Sequence, residues 1–155
     1  MSETLGFDPG AVHRYYAAEC FNRAWDLIDK PDRTPDEDEQ MIRLSLASTW
    51  HWTQREDCTP TNLSVGYWQT ARIYALLGQA SNARRYGQLC LAASQGEDIL
   101  PFYLGYAYEA LARAESVVGN AEQRDAYLAA AREMAGRMPD PDAREALLAD
   151  LATIR

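Results

Sequence analysis

LSVGYWQTARIYALLGQASNARRY (residues 63–86) is followed by LGYAYEALARAESVVGNAEQRDAY (residues 104–127), and the two stretches carry matching residues at matching places. Leu63, Tyr67, Ala71, Arg72, Gly78, Ala80 and Tyr86 recur in order as Leu104, Tyr108, Ala112, Arg113, Gly119, Ala121 and Tyr127, with Gly119 following Gly78 by 41 positions. A fixed period of this size is the signature of stacked helical hairpins, in which each unit buries its apolar face against the next. Gly78 and Gly119 fall where one helix must end, because glycine takes the left-handed conformation of a helix stop at little steric cost.

Outward from this pair, the helix starts are written in the chain. Asp8-Pro9, Thr34-Pro35, Thr59-Pro60 and Asp140-Pro141 each place a capping side chain before a proline, which is tolerated at the first helical position because its missing N–H would be unpaired anyway. Thr34 with Glu37 completes a capping box, and the acidic run Asp36 to Glu39 belongs to that first helical turn, where carboxylates are favoured. Helices are expected at about 9–30, 35–55, 60–77, 80–94, 99–118, 121–137 and 141–154. Short turns make neighbours antiparallel, giving hairpins 9–55, 60–94 and 99–137 and a capping helix, within a single domain over 1–155. Ala80, Ala83, Gly87, Cys90 and Ser94 form a stripe of small residues that admits a neighbouring backbone. The fold class is all-α, without a sheet.

Composition narrows the function. A formal charge of −8 argues against a general affinity for nucleic acid or anionic membrane, which are themselves negative. Lys30 is the only lysine beside a set of arginines. No apolar stretch reaches the roughly 18 residues that suggest a membrane span, and Met1 to Gly10 lacks the apolar run of a secretory signal. Cys20, Cys58 and Cys90 are odd in number and widely spaced, which suits free thiols and a cytoplasmic setting. Catalytic and metal signatures are absent: His13 and His51 stand on different helices, no His-x-x-x-His or Cys-x-x-Cys spacing occurs, and there is no phosphate-binding glycine loop. No enzyme activity, cofactor or metal is expected.

The order Tyr67, Ala71, Tyr74, Gly78, Ala83 and Cys90-Leu91 resembles the tetratricopeptide repeat, and Tyr108, Ala112, Gly119 and Ala131 resemble a second unit in which Glu115 and Arg124 depart from the pattern. Asn22 to Leu27, Ser48 to Trp52 and Ala75 to Gly78 also look like blocks of short bacterial proteins of this type. The resemblance implies a right-handed superhelix of hairpins whose first helices line a concave groove for a partner segment. It places Arg23, Arg72 and Arg113 toward that groove, with Tyr16, Glu19, Trp68, Gln69, Tyr106 and Glu109 beside them.

Two sites compete on this basis. The first is a partner-binding stripe of Arg23, Trp68, Gln69, Arg72, Tyr106 and Arg113, since guanidinium forks suit carboxylates and flanking aromatics add apolar area. Against it stands an ordinary solvated face: Glu19 and Glu109 lie four residues before Arg23 and Arg113, and Trp68 four before Arg72. If the stripe is a free binding surface, Arg72→Glu should weaken partner capture without lowering the melting temperature. The second site is a small-molecule pocket of Asn22, Trp25, Asp26, His51 and Trp52, with Gln69 near it, for which the alternative is a core filled by Trp25 and Trp52 in which His51 and Asp26 bond each other or a backbone group. The function expected is a scaffold that binds another protein or peptide segment, with a small-molecule sensor as alternative and a homodimer through hairpin edges as a further option.

Overall fold

Seven α-helices and no strand make up the computed structural model, which describes residues 6–155. The first five positions of the Met1 to Gly10 stretch lie outside the described residues. The helices are α1 (Pro9–Ile28), α2 (Pro35–Thr53), α3 (Pro60–Leu76), α4 (Ala80–Ala93), α5 (Pro101–Val118), α6 (Ala121–Gly136) and α7 (Pro141–Ala152). Each start that a capping residue and proline announce is present. Asp8 and Asp140 accept from the amides of Gly10 and Asp142 at 2.9 and 3.0 Å, and Thr34 and Glu37 close their capping box. The fifth helix begins two residues later than expected, at Pro101, where the ring presets the helical φ. The sixth is capped by Asn120, whose side chain accepts from the Gln123 amide.

By its internal contacts the chain forms two compact units, Met1–Thr59 and Pro60–Arg155. In the first, α1 and α2 form an antiparallel hairpin: His13 lies opposite His51, Ala17 opposite Ser48, and Cys20 with Ala24 packs on Leu44. The Ser48 hydroxyl donates to the Ala17 carbonyl at 2.7 Å, so the buried polar group is satisfied within the hairpin. The long connection between these helices is held by Arg33, whose guanidinium donates to the carbonyls of Leu27, Ile28 and Lys30 while its Nε reaches Asp38 at 2.7 Å. One side chain thereby caps the end of α1, whose last carbonyls have no helical partner.

In the second unit, α3–α4 and α5–α6 are two hairpins of the same construction. Gly78 and Gly119 both adopt positive φ (73° and 78°), and the amides that follow them, on Gln79 and Asn120, donate back to Tyr74 and Glu115. Tyr67 meets Tyr86 at 6.3 Å and Tyr108 meets Tyr127 at 6.2 Å between ring centroids. The small stripe on α4 does what its size permits: a Cβ on Gly87 would lie 2.8 Å from Leu111 Cδ2, so only glycine lets α5 come this close. Helix α7 lays Leu147 and Leu151 against Ala112, Leu128, Ala131 and Ala135, burying the apolar face that the last hairpin would otherwise expose.

Candidate functional site on the second unit

The helical period places Val65, Trp68, Arg72 and Leu76 along one face of α3, and Phe102, Tyr106, Glu109, Arg113 and Val117 along one face of α5. These two faces meet at Glu109. Its carboxylate is wholly buried and accepts from Trp68 Nε1 at 2.9 Å, from Arg72 Nη1 at 3.2 Å and from Arg113 Nε. A buried carboxylate is tolerated only when charge and hydrogen bonds replace its lost hydration, and two guanidiniums with an indole N–H supply both.

The network extends to α7. Arg113 Nη2 donates to the Thr153 hydroxyl at 2.7 Å and to the Asp150 carbonyl at 3.1 Å, and the Tyr106 hydroxyl donates to Asp150 Oδ2 at 2.9 Å. Burial, and the carboxylate that takes its proton in a hydrogen bond, push the Tyr106 phenol far above its ordinary range, so it remains a donor. Its ring stands edge-on to Trp68 at 5.3 Å. Tyr106, Trp68, Arg72 and Arg113 are thus held by a shared set of bonds through Glu109 and Asp150.

Two openings flank this network. A slot of about 200 Å³ is walled by Ser64, Val65, Trp68, Phe102, Tyr103 and Tyr106 and is almost wholly apolar. Further along the same helices a cavity of about 370 Å³ is bordered by Arg72, Arg113, Ser116 and Thr153, with Ala75, Leu76, Val117 and Ile154 as its apolar rim. Arg72 spends only Nη1 on Glu109; its Nε and Nη2 have no acceptor among the described residues.

Of the expected stripe, Trp68, Arg72, Tyr106 and Arg113 are brought together. Gln69 is not part of it: it is fully buried on the strip of Gly66, Thr70 and Ile73, one helical step round from Trp68. Arg23 is exposed on α1 and belongs to the first unit, and its expected pair with Glu19 does not form among the described residues. The Glu109–Arg113 pair forms, but as a buried interaction rather than a surface one. Burial also reverses one expectation: Arg72→Glu would set a second carboxylate against Glu109 and should lower stability by several kcal/mol. Glu109 itself had a legible signal, since it occupies the repeat position that Trp68 holds in the preceding copy.

In the first unit the pocket residues do not converge in the expected way. Asn22 and Asp26 are exposed on α1, Trp25 packs edge-on to Phe21, and Trp52 lies beneath the Arg55 guanidinium at 3.9 Å. His51 pairs with His13 rather than Asp26, Nδ1 to Nδ1 at 2.8 Å, and its ring sits among Tyr16 and Trp50. Desolvation, then the neighbouring His13, hold His51 below the ordinary imidazole range. One open space in this unit, about 640 Å³, lies against His13, Arg14, Gln54, Arg55 and Asp57. Among the described residues no three His, Cys, Asp or Glu side chains are grouped to hold a metal ion, and no helix is long and apolar enough to cross a membrane.

Comparison with family models, with curated proteins and with solved structures gives no match to this chain.

Proposed function

We propose that the face of α3 and α5 bordered by α7 is a binding groove for a segment of another protein, and that the chain is a tetratricopeptide-like interaction scaffold without catalytic chemistry of its own. The observation that carries this reading is the state of Arg72. It is anchored through one nitrogen to a buried carboxylate, and it has two donor nitrogens without protein acceptors beside an open cavity. A guanidinium already immobilised loses little entropy when it takes a ligand carboxylate, and the aromatic slot next to it supplies the apolar contact that gives affinity.

A displayed random-peptide library selected on the intact protein tests this reading, with Leu76→Glu as counter-selection. Leu76 is exposed at the rim of the cationic cavity, so the change alters the groove and leaves the core alone. Sequences should be enriched on the native protein and lost on the variant at unchanged melting temperature. Enrichment that is equal on both, or absent, would remove the groove from consideration.

A further inference from the structure

The hairpin α1–α2 is closed differently at its two ends. At the connection, Arg33 ties the helices together through three carbonyls and Asp38. Toward the free end come the bond from Ser48 to Ala17 and, nearer the tip, the contact of His13 Nδ1 with His51 Nδ1 at 2.8 Å. The two imidazole centroids are 5.1 Å apart, which matches the nitrogen separation plus one ring radius at each end, so each Nδ1 points along the line to the other. That is the geometry of one N–H donating to one lone pair. A neutral ring or an imidazolium can donate to a neutral partner, whereas two imidazoliums set two N–H groups and two positive charges against each other.

The surroundings do not relieve such a clash. His51 stacks on Tyr16 at 5.6 Å and meets Trp50 edge-on at 4.9 Å, and His13 meets the same indole at 5.4 Å. The charged groups lie on the His13 side, where Asp8, Arg14, Arg55, Glu56 and Asp57 border the open space beside His13 and Gln54. Arg14 bonds Asp8 at 3.3 Å and Arg55 bonds Asp57 at 2.7 Å, so both of those carboxylates already have cations. Glu56 leaves this border with one negative charge in excess, which suits one proton on the pair and does not offset two.

We infer that His13 and His51 form a proton-operated catch: their shared hydrogen bond holds the free end of the α1–α2 hairpin closed through the first protonation of the pair, and the second proton releases it. The open end binds more protons than the closed one, so acid favours it. Burial and the His13 charge already oppose a proton on His51, in the same sense. Parting the rings frees Tyr16 and Trp50, which are exposed on their outer faces, and uncovers Ala17 and Ser48, the next pair inward. The catch does not depend on the groove of α3 and α5.

Nuclear magnetic resonance on the isotope-labelled full chain, between about pH 8 and 4, tests the inference through the imidazole nitrogens and through amide exchange. Both histidines should report the same two protonation steps, more than about one pH unit apart, because the steps belong to the pair. Corrected for intrinsic chemistry, protection of the amides of residues 13–17 and 48–52 should fall about tenfold per pH unit between the two steps, one proton being taken up per opening. Amides of residues 20–24 and 41–45, around the packing of Cys20 and Ala24 on Leu44, should keep theirs. In His13→Gln the amide can turn either its NH₂ or its carbonyl to His51, so the bond survives protonation, His51 should titrate in one step and the slope should vanish.

Two independent single-step titrations would overturn the shared proton. Two steps without loss of protection at the free end, or loss spread evenly along both helices, would overturn the catch, as would a slope that persists in His13→Gln.

Discussion

The hairpins α3–α4 and α5–α6 share a frame and differ in what they hang on it. Glycines of nearly equal φ end the first helix of each, and a tyrosine pair at nearly equal separation closes each hairpin. Where the first copy has Trp68 and Tyr74, the second has Glu109 and Glu115. Tyr74 stacks on Tyr86 inside its own hairpin, whereas Glu115 is held bidentately by Arg84 of the first copy at 2.7 Å and Glu109 by Arg72. The shared glycines and tyrosines therefore shape each hairpin, and the two glutamates that break the repeat take bonds from arginines of the first copy. One of these breaks, at Glu109, also shapes the candidate groove.

Removing that break should have the largest effect. Glu109→Ala leaves Arg72 and Arg113 partly buried without a counter-charge and should cost about 3–5 kcal/mol in a urea unfolding curve. Trp68→Phe keeps the ring but deletes the indole donor, and should cost about 1–2 kcal/mol. Equal losses for the two variants would mean that the carboxylate does not organise the site.

The close approach of the two copies gives the next effect. Gly87→Ala puts a methyl group against Leu111, an overpacking cost of about 1–3 kcal/mol that is offset by roughly 1 kcal/mol of gained helix propensity. A net loss should appear in the same measurement. The corresponding position of the second copy holds Leu128, so tolerance of the bulk at Gly87 would show that the contact between the copies is looser than described. Glu115→Gln should lower the melting temperature less than either change, because Arg84 is partly exposed and solvent screens the pair, and the loss should shrink with added salt.

Thiol chemistry sharpens the same contrast. Cys90 is buried between Ser64 and Ser94, and burial pushes its thiol up to about 11. At pH 8 iodoacetamide should modify the partly exposed Cys58 first and reach Cys90 only as the first copy opens. Early labelling of Cys90 would place that copy at the fraying end of the unit.

The smallest effect lies outside both copies, in α1–α2. His51 is held below its ordinary value, so between its folded and unfolded pKa values the unfolded chain binds more protons and stability rises with pH. Its contribution is complete above the unfolded value, near 6.5, and is lost as pH falls through the folded one. His51→Gln should flatten the dependence of melting temperature on pH from 7 down to 5, and a wild-type curve that is already flat would contradict the pairing with His13.

Much of this architecture could be read before any coordinates. The Asp-Pro and Thr-Pro pairs begin four helices, the two glycines end two, and the 41-residue period joins α3–α4 to α5–α6, because capping, φ preference and helical periodicity are local properties that a chain displays in one dimension. The site was legible in part. The tetratricopeptide resemblance groups Trp68, Arg72, Tyr106 and Arg113, and it also assigns to their face Gln69, which is turned inward by a single helical step.

What the tertiary structure decided is which charges meet and how much water they keep. Glu109 four residues before Arg113 reads as a surface pair until α3 covers it, and His13 and His51 are two unrelated imidazoles until the hairpin sets them 2.8 Å apart. Burial and pairing are relations between distant segments. The price of a buried charge depends on the partners that packing supplies, so the chain alone fixed the helices and their stops while packing made a buried carboxylate the hinge of the site.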